Sequence, residues 1–189
     1  MRWGELGSER CSVARTVAVL GDRWTLLILR DCFLRVRRFD DFETRLNITR
    51  HILADRLRKL VDTGVLAKVP YQDRPVRYEY RLTQKGLDLY PVLMSLVHWG
   101  DTYTVGKAGR PLLHQHLACG HTFDPVMTCS ACGEAIDPRQ VRVLPGPGAG
   151  RKPNEIQAVL GHVDPGDSKT GTTTAKRTRS DRQRGRVAA

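Results

Sequence analysis

No stretch of this 189-residue chain approaches the ~20 consecutive apolar residues that a membrane-spanning helix requires. Apolar runs such as Leu26–Leu29 and Val92–Met94 fall far short. Residues 1–10 are polar, carry Glu5 and Glu9 and have no apolar core, so they do not read as a secretory signal. Five cysteines, two of them in a Cys129-x-x-Cys132 pair, do not suit the disulfide framework of a secreted domain. They suit metal binding or thiol chemistry in a reducing compartment, and a cytoplasmic protein with no membrane association is expected. Enzyme signatures are also missing: no Gly-rich phosphate loop, no spacing that suggests paired carboxylates and no nucleophile in a recognisable motif. Acidic residues are in the minority. Twenty Asp and Glu against 31 Lys and Arg leave a formal charge of +11, which favours a polyanionic partner and nucleic acid first among them. A generally basic soluble protein carries the same charge, so placement has to decide.

Composition divides the chain into four parts. Residues 1–10 form an N-terminal arm, 11–106 carry the strongest periodicity, 107–144 hold most of the cysteines, and 145–189 form a linker and basic tail. The run Pro145-Gly146-Pro147-Gly148-Ala149-Gly150 reads as a linker. Beyond it, nine Lys or Arg stand against four Asp or Glu with little apolar side chain to offset ordering entropy, so disorder is expected. Such a tail either solubilises the protein or adds weak attraction to phosphates.

Within 11–106, Val13, Val17 and Leu20 mark one face of a helix that Gly21 ends. From Arg23 to Leu34 apolar residues fall on nearly every side, as in a central buried helix. Asp40 as N-cap with Glu43 three residues on predicts a capping box opening a short helix through Leu46. Thr49 then caps a second helix, with Ile48 stapled to Leu53; Leu53, Leu57, Leu60 and Val61 form its buried stripe and Gly64 its end. Its other face offers Arg50, His51, Asp55, Arg58, Lys59 and Asp62. A strand 65–69, a polar loop 70–75 and a strictly alternating strand 76–82 predict a hairpin with Val76, Tyr78, Tyr80 and Leu82 packed and Arg77, Glu79 and Arg81 wet. Thr83 caps a last long helix that Pro91 must kink or split; Leu89, Leu93, Leu96, Val97 and Tyr103 form its stripe, Val92 and Trp99 widen it, and the apolar excess from Val92 to Tyr103 asks for a partner.

The expected fold class is mainly α with a small β-hairpin: a winged helix-turn-helix, followed by a zinc-ribbon-like segment and a disordered basic tail. This order of elements presents one capped helix and one basic loop together, and double-stranded DNA accepts both. The expected DNA-binding residues are Thr49, Arg50, His51, Asp55, Arg58, Lys59, Arg74 and Arg77. Arg50 and His51 are placed for base edges, Arg58 and Lys59 for phosphates, and Arg74 and Arg77 for the backbone or minor groove beside the wing. Singly, each is more ordinarily a solvated charge; the joint placement favours DNA.

The stretches Cys11-Ser12-Val13-Ala14-Arg15, Gly21 through Asp31, Arg37-Arg38-Phe39, Leu57-Arg58-Lys59-Leu60, Arg77-Tyr78-Glu79-Tyr80, Leu82-Thr83, Gly86, Pro91-Val92-Leu93 and Trp99-Gly100 resemble the HxlR-type, MarR-like winged-helix regulators of bacteria. The resemblance covers about half the chain. It implies a homodimeric transcriptional regulator, a repressor or an activator with the repressor favoured, on an inverted-repeat operator. It also implies that the first and last helices form the dimer interface and that Cys11 senses oxidants, quinones or aldehydes. Position supports a reactive Cys11, because a helix start and Arg10 both favour thiolate; the alternative is a small residue packed at the dimer seam. Cys32, inside the central helix, is expected to be inert.

After Gly106 the chain departs from that pattern. His116-Leu117-Ala118-Cys119-Gly120 and Cys129-Ser130-Ala131-Cys132-Gly133 repeat ligand-x-x-Cys-Gly. His116, Cys119, Cys129 and Cys132 can offer four ligands to a structural Zn²⁺, with His121 and His114 as alternative nitrogen donors. A metal-free thiol pair and incidental cysteines are the competing readings. The two-knuckle pattern leaves a second functional reading open, a zinc-ribbon interaction module carried on a winged helix that binds protein rather than DNA.

Overall fold

The computed structural model describes residues 3–149, so the expected basic tail 151–189 lies outside the described residues. A 3-10 turn at Trp3–Ser8 precedes helices α1 (Ser12–Leu20), α2 (Arg23–Phe33), α3 (Phe39–Leu46) and α4 (Arg50–Asp62). Strands β1 (Leu66–Asp73) and β2 (Val76–Leu82), a short helix α5 (Gln84–Leu87) and helix α6 (Tyr90–Tyr103) follow. Mainly helical, with one two-stranded antiparallel sheet, it is the winged-helix arrangement.

Asp22 starts α2. Its carboxylate accepts from the amides of Trp24 at 3.1 Å and Thr25 at 3.0 Å, and Arg56 of α4 donates to it at 3.1 Å. Burial pushes this carboxyl up, but the hydroxyl and amide of Thr25, then Arg56 and the amide of Trp24, outweigh it and hold it below its ordinary value. One side chain thus caps one helix and ties down another. α2 then runs through the centre, burying Ile28, Leu29 and Cys32 against Phe42, Leu53, Leu57, Leu60, Val65 and Leu66 from the elements around it. Each such apolar side chain contributes about 1.5–3 kcal/mol on leaving water. Asp31 on the same helix is completely buried, yet bonded to Arg30 at 2.8 Å and Arg45 of α3 at 3.4 Å. Burial, with the Asp31 carboxylate beside it, pushes the Cys32 thiol up to about 12, which keeps it protonated and unreactive.

Helices α2 and α4 end in the same way. The amide of Val36 returns to Asp31 O at 3.0 Å and that of Arg35 to Cys32 O at 3.0 Å; in α4, Val65 returns to Leu60 O and Gly64 to Val61 O, both at 2.9 Å. These are paired 6→1 and 5→2 closures around a left-handed residue, Arg35 (φ 68°) in one and Gly64 (φ 72°) in the other.

Three expectations are corrected. Helix α3 begins two residues earlier than the proposed capping box: Arg38, not Asp40, is its N-cap, without a side-chain cap, and Asp40 and Asp41 lie in the first turn, where negative charge complements the helix dipole. The polar loop 70–75 is mostly strand: β1 continues to Asp73 with a bulge at Tyr71, and Arg74 and Pro75 make the turn. Pro70 is tolerated because β1 is an edge strand, where a missing N–H leaves no ladder bond broken. The packed face of β2 holds only at its base. Tyr80 and Leu82 lie against the core, Val76 and Tyr78 project beyond it, and Glu79, expected wet, is buried and paired with Arg81. Pro91 does split the last helix: α5 is capped by the Thr83 hydroxyl, accepting from Gly86 N at 3.2 Å, and Pro91 lies in the first turn of α6.

Candidate nucleic-acid interface

Helices α3 and α4 are joined by Asn47, Ile48 and Thr49. Asn47 ends α3 in the left-handed region (φ 47°), Ile48 turns inward and is buried, and Thr49 takes the N-cap of α4. Leu53, Leu57 and Leu60 are fully buried, so the stripe read from the sequence fixes which face of α4 looks outward. That face opens with Thr49, Arg50 and His51, all exposed. The Thr49 side chain makes no cap hydrogen bond.

Arg50 is held from α3. Its Nη1 lies 2.5 Å from Glu43 Oε2 and 3.4 Å from Asp40 Oδ1, and its guanidinium sits 4.8 Å from the Phe39 ring centroid. The two acids expected to cap α3 instead hold the first residue of α4, a preorganised rather than a free arginine. Asp55 plays a similar part further along, accepting from Arg56 at 2.6 Å and Arg58 at 3.0 Å. A carboxylate there cannot itself hold a phosphate; it orients two cations. Arg58 remains exposed and Lys59 half-buried beyond it.

The wing carries Arg74 in its turn and Arg77 on β2, both exposed and, among the described residues, without a carboxylate partner. Two cations that the sequence reading missed join them. Lys68 stands 4.1 Å from the Tyr78 ring centroid and Arg38 4.7 Å from that of Tyr71. Exposed aromatics next to basic residues on a hairpin are visible in sequence, but which ring meets which cation depends on the register. The base of the wing is fastened to the helix-turn-helix, because Tyr80 N donates to Arg37 O at 2.8 Å and Arg38 pairs across β2 with Glu79. The wing and α3 therefore share one backbone connection at Arg37–Arg38.

The family model for the HxlR-like helix-turn-helix matches residues 19–107. A helix-turn-helix transcriptional regulator of Mycobacterium tuberculosis, Rv3095, is 46% identical over 137 residues, covering 72% of this chain and 87% of the relative. The chain belongs to the HxlR-like family. It is a transcriptional regulator with a helix-turn-helix DNA-binding domain, and its relatives are regulators rather than enzymes. A neighbour among solved structures, the candidate transcription factor PA1607, has a TM-score of 0.66 and 33% identity over 72% of this chain and 96% of its own. Another candidate transcription factor, PA1374 of Pseudomonas aeruginosa, has a TM-score of 0.55 and 34% identity over 77% of this chain and 99% of its own. A Bacillus subtilis regulator of the same type, YvaP, matches over only 98 residues, about the length of the winged helix. The 137-residue match to Rv3095 is longer than the whole of residues 1–106, so part of the segment after Gly106 is shared with that relative.

The remaining predicted positions lie away from α4 and the wing. Cys11 is exposed at the N-cap of α1. A groove of about 330 Å³ beside that helix is lined by Arg15, Val19, Leu20, Lys85 and Leu89 among others. His116, Cys119, Cys129 and Cys132 lie in the segment after α6, whose first part borders α6 across a cavity of about 80 Å³ next to Val97, His98 and Phe123. Arg110 grips Asp124 there with two bonds, 2.5 and 3.3 Å, which hold the Asp124 carboxyl below its ordinary value. Among the described residues no helix is long and apolar enough to cross a membrane.

Proposed function

We propose that the protein works as a homodimer that sets two copies of α4 into successive major grooves of an inverted-repeat operator, with Arg74, Arg77 and Lys68 of each wing on the flanking phosphates. The observation that carries this reading is the outer face of α6. Leu96, Trp99 and Tyr103 are 48%, 60% and 73% exposed and share it with Val92, while Val13 of α1 is exposed as well. A contiguous apolar face of this kind marks an association surface, and a twofold partner would give the two recognition helices the symmetry of an inverted repeat.

Selection of bound duplexes from a random pool tests it. The expected outcome is an inverted repeat with half-site centres about 34 Å apart or a multiple of that. Affinity should fall steeply with salt, and Arg74→Ala with Arg77→Ala should reduce the salt slope by about one per lost phosphate contact without changing sequence preference. Recovery of unrelated duplexes with no repeat, or salt-independent binding, would favour the protein-interaction reading instead.

We extend the proposal to Cys11. It is an exposed thiol at the N-cap of α1, and α1 carries part of the apolar face through Val13. Diamide should change operator binding of the parent and leave Cys11→Ser unaffected; an equal response of both proteins removes Cys11 from the mechanism.

A further inference from the structure

The segment after α6 is ordered without a core. Among the described residues none after Met94 is buried, and Leu117 is 90% exposed. Apart from a 3-10 turn at Pro138–Gln140, its regular structure consists of two small hairpins that correspond residue for residue at an offset of thirteen. In the first, His116 N donates to His121 O at 2.9 Å, Phe123 N to His114 O at 3.0 Å, and Gln115 bridges Thr122. In the second, Cys129 N donates to Glu134 O at 2.8 Å, Ile136 N to Met127 O at 2.9 Å, and Thr128 bridges Ala135. Gly120 N returns to His116 O and Gly133 N to Cys129 O, both at 2.8 Å, with φ of 74° and 77°. Only glycine adopts that conformation without strain, and it folds each tip so that the first and fourth residues face each other.

Those residues are the donor pairs. His116 Nδ1 lies 3.4 Å from Cys119 Sγ. Zn–N of about 2.0–2.1 Å and Zn–S of about 2.3 Å at a tetrahedral angle give an edge of about 3.6 Å, so this pair already stands close to the spacing of two zinc ligands. At the other tip Cys129 and Cys132 occupy the corresponding positions, thirteen residues on, around the same glycine closure.

We propose that the two hairpins are the halves of a structural zinc site in which His116 Nδ1, Cys119, Cys129 and Cys132 close on one tetrahedral ion. Three thiolates with one imidazole suit Zn²⁺, and four protein ligands leave no position for a reacting water, so the ion's role is to hold the segment together. The two pairs are not gathered into a group of three or more donors among the described residues; the ion is what draws the second hairpin onto the first. The chain permits this, because from Phe123 to Met127 only four Cα steps, at most about 14 Å, separate the hairpins. A coreless segment of this size depends on such a cross-link, and the free energy of metal binding becomes its folding free energy.

The test uses full-length protein purified without a histidine tag, stripped of metal and titrated with Co²⁺. The expected result is a visible d–d absorption with a sulfur-to-cobalt charge-transfer band that saturates at one equivalent and is displaced by Zn²⁺. Cys129→Ser with Cys132→Ser should abolish the charge-transfer band, and His116→Ala should weaken binding at least tenfold while keeping it. In these variants the thermal unfolding of the winged helix, whose core comes from residues 20–94, should be unchanged, which separates ligand loss from misfolding. Absence of the charge-transfer band in the parent, or the same band in the double-serine variant, overturns the site.

Discussion

Leu96→Glu or Trp99→Glu, a carboxylate in the middle of the outer face of α6, is expected to give a folded monomer that no longer distinguishes its operator. Both side chains are largely exposed in the single chain, Trp99 giving up only its tilted contact with Tyr103 at 5.5 Å, so the protomer should stay folded and lose little beyond the stability that association supplies. In a twofold dimer the same residues meet their copies or near neighbours, and each interface would carry two unpaired charges out of water. Without the dimer only one half-site is engaged at a time, and the operator affinity should fall about a thousandfold or more, towards non-specific binding. Sedimentation equilibrium gives the mass and operator titration the affinity. A dimer that persists with unchanged affinity would place the interface on another surface.

Gly86→Ala is expected to destabilise the winged helix by about 3 kcal/mol, the upper end of what over-packing costs in a well-packed core. Gly86 is buried in the short helix α5. A Cβ there would fall well inside van der Waals contact with the carbonyl oxygen of Val65 and 3.0 Å from Leu82 Cδ2. Backbone cannot rotate away as a side chain can. The same carbonyl accepts the Thr83 amide at 3.1 Å, so moving it also breaks the joint between α4, β1 and α5. Denaturant unfolding reads the change in midpoint. A shift below about 0.5 kcal/mol, the range of ordinary surface substitutions, would mean that α5 does not stand against the Val65 carbonyl.

The elements that sequence reading recovered are those whose causes are local. Ile48, Thr49 and Leu53 announce the start of α4, Gly64 announces its end, alternation announces β2, and Pro91 splits the last helix. What escaped depends on distant partners. Nothing local marks Arg35 as a left-handed helix stop, since arginine there carries a steric cost that the closing bonds to Asp31 and Cys32 must offset. The proposed Asp40 and Glu43 box was chemically reasonable, but the chain enters α3 from an extended Arg37–Arg38 pinned to β2, which moves the cap to Arg38. Arg50 was legible as an exposed cation on the right face; that Glu43, Asp40 and Phe39 hold it was not, because that needs the angle between α3 and α4.

The tie between Arg37–Arg38 and β2 has a mechanical consequence. A wing attached only through its two strand ends could swing on its own to meet a flanking phosphate. Here the hairpin is stitched to the segment that enters α3, α3 is clamped to α2 through Asp31 and Arg45, and α4 to the start of α2 through Arg56 and Asp22. Helix α4 and the wing are therefore coupled, and in a dimer joined through α1 and α6 they would turn together as one lever about that side of the protomer. A rotation of a few degrees at that fulcrum is magnified along the hairpin, so the tips of two wings in a dimer would report small changes between subunits as large changes in the span of duplex they can grip.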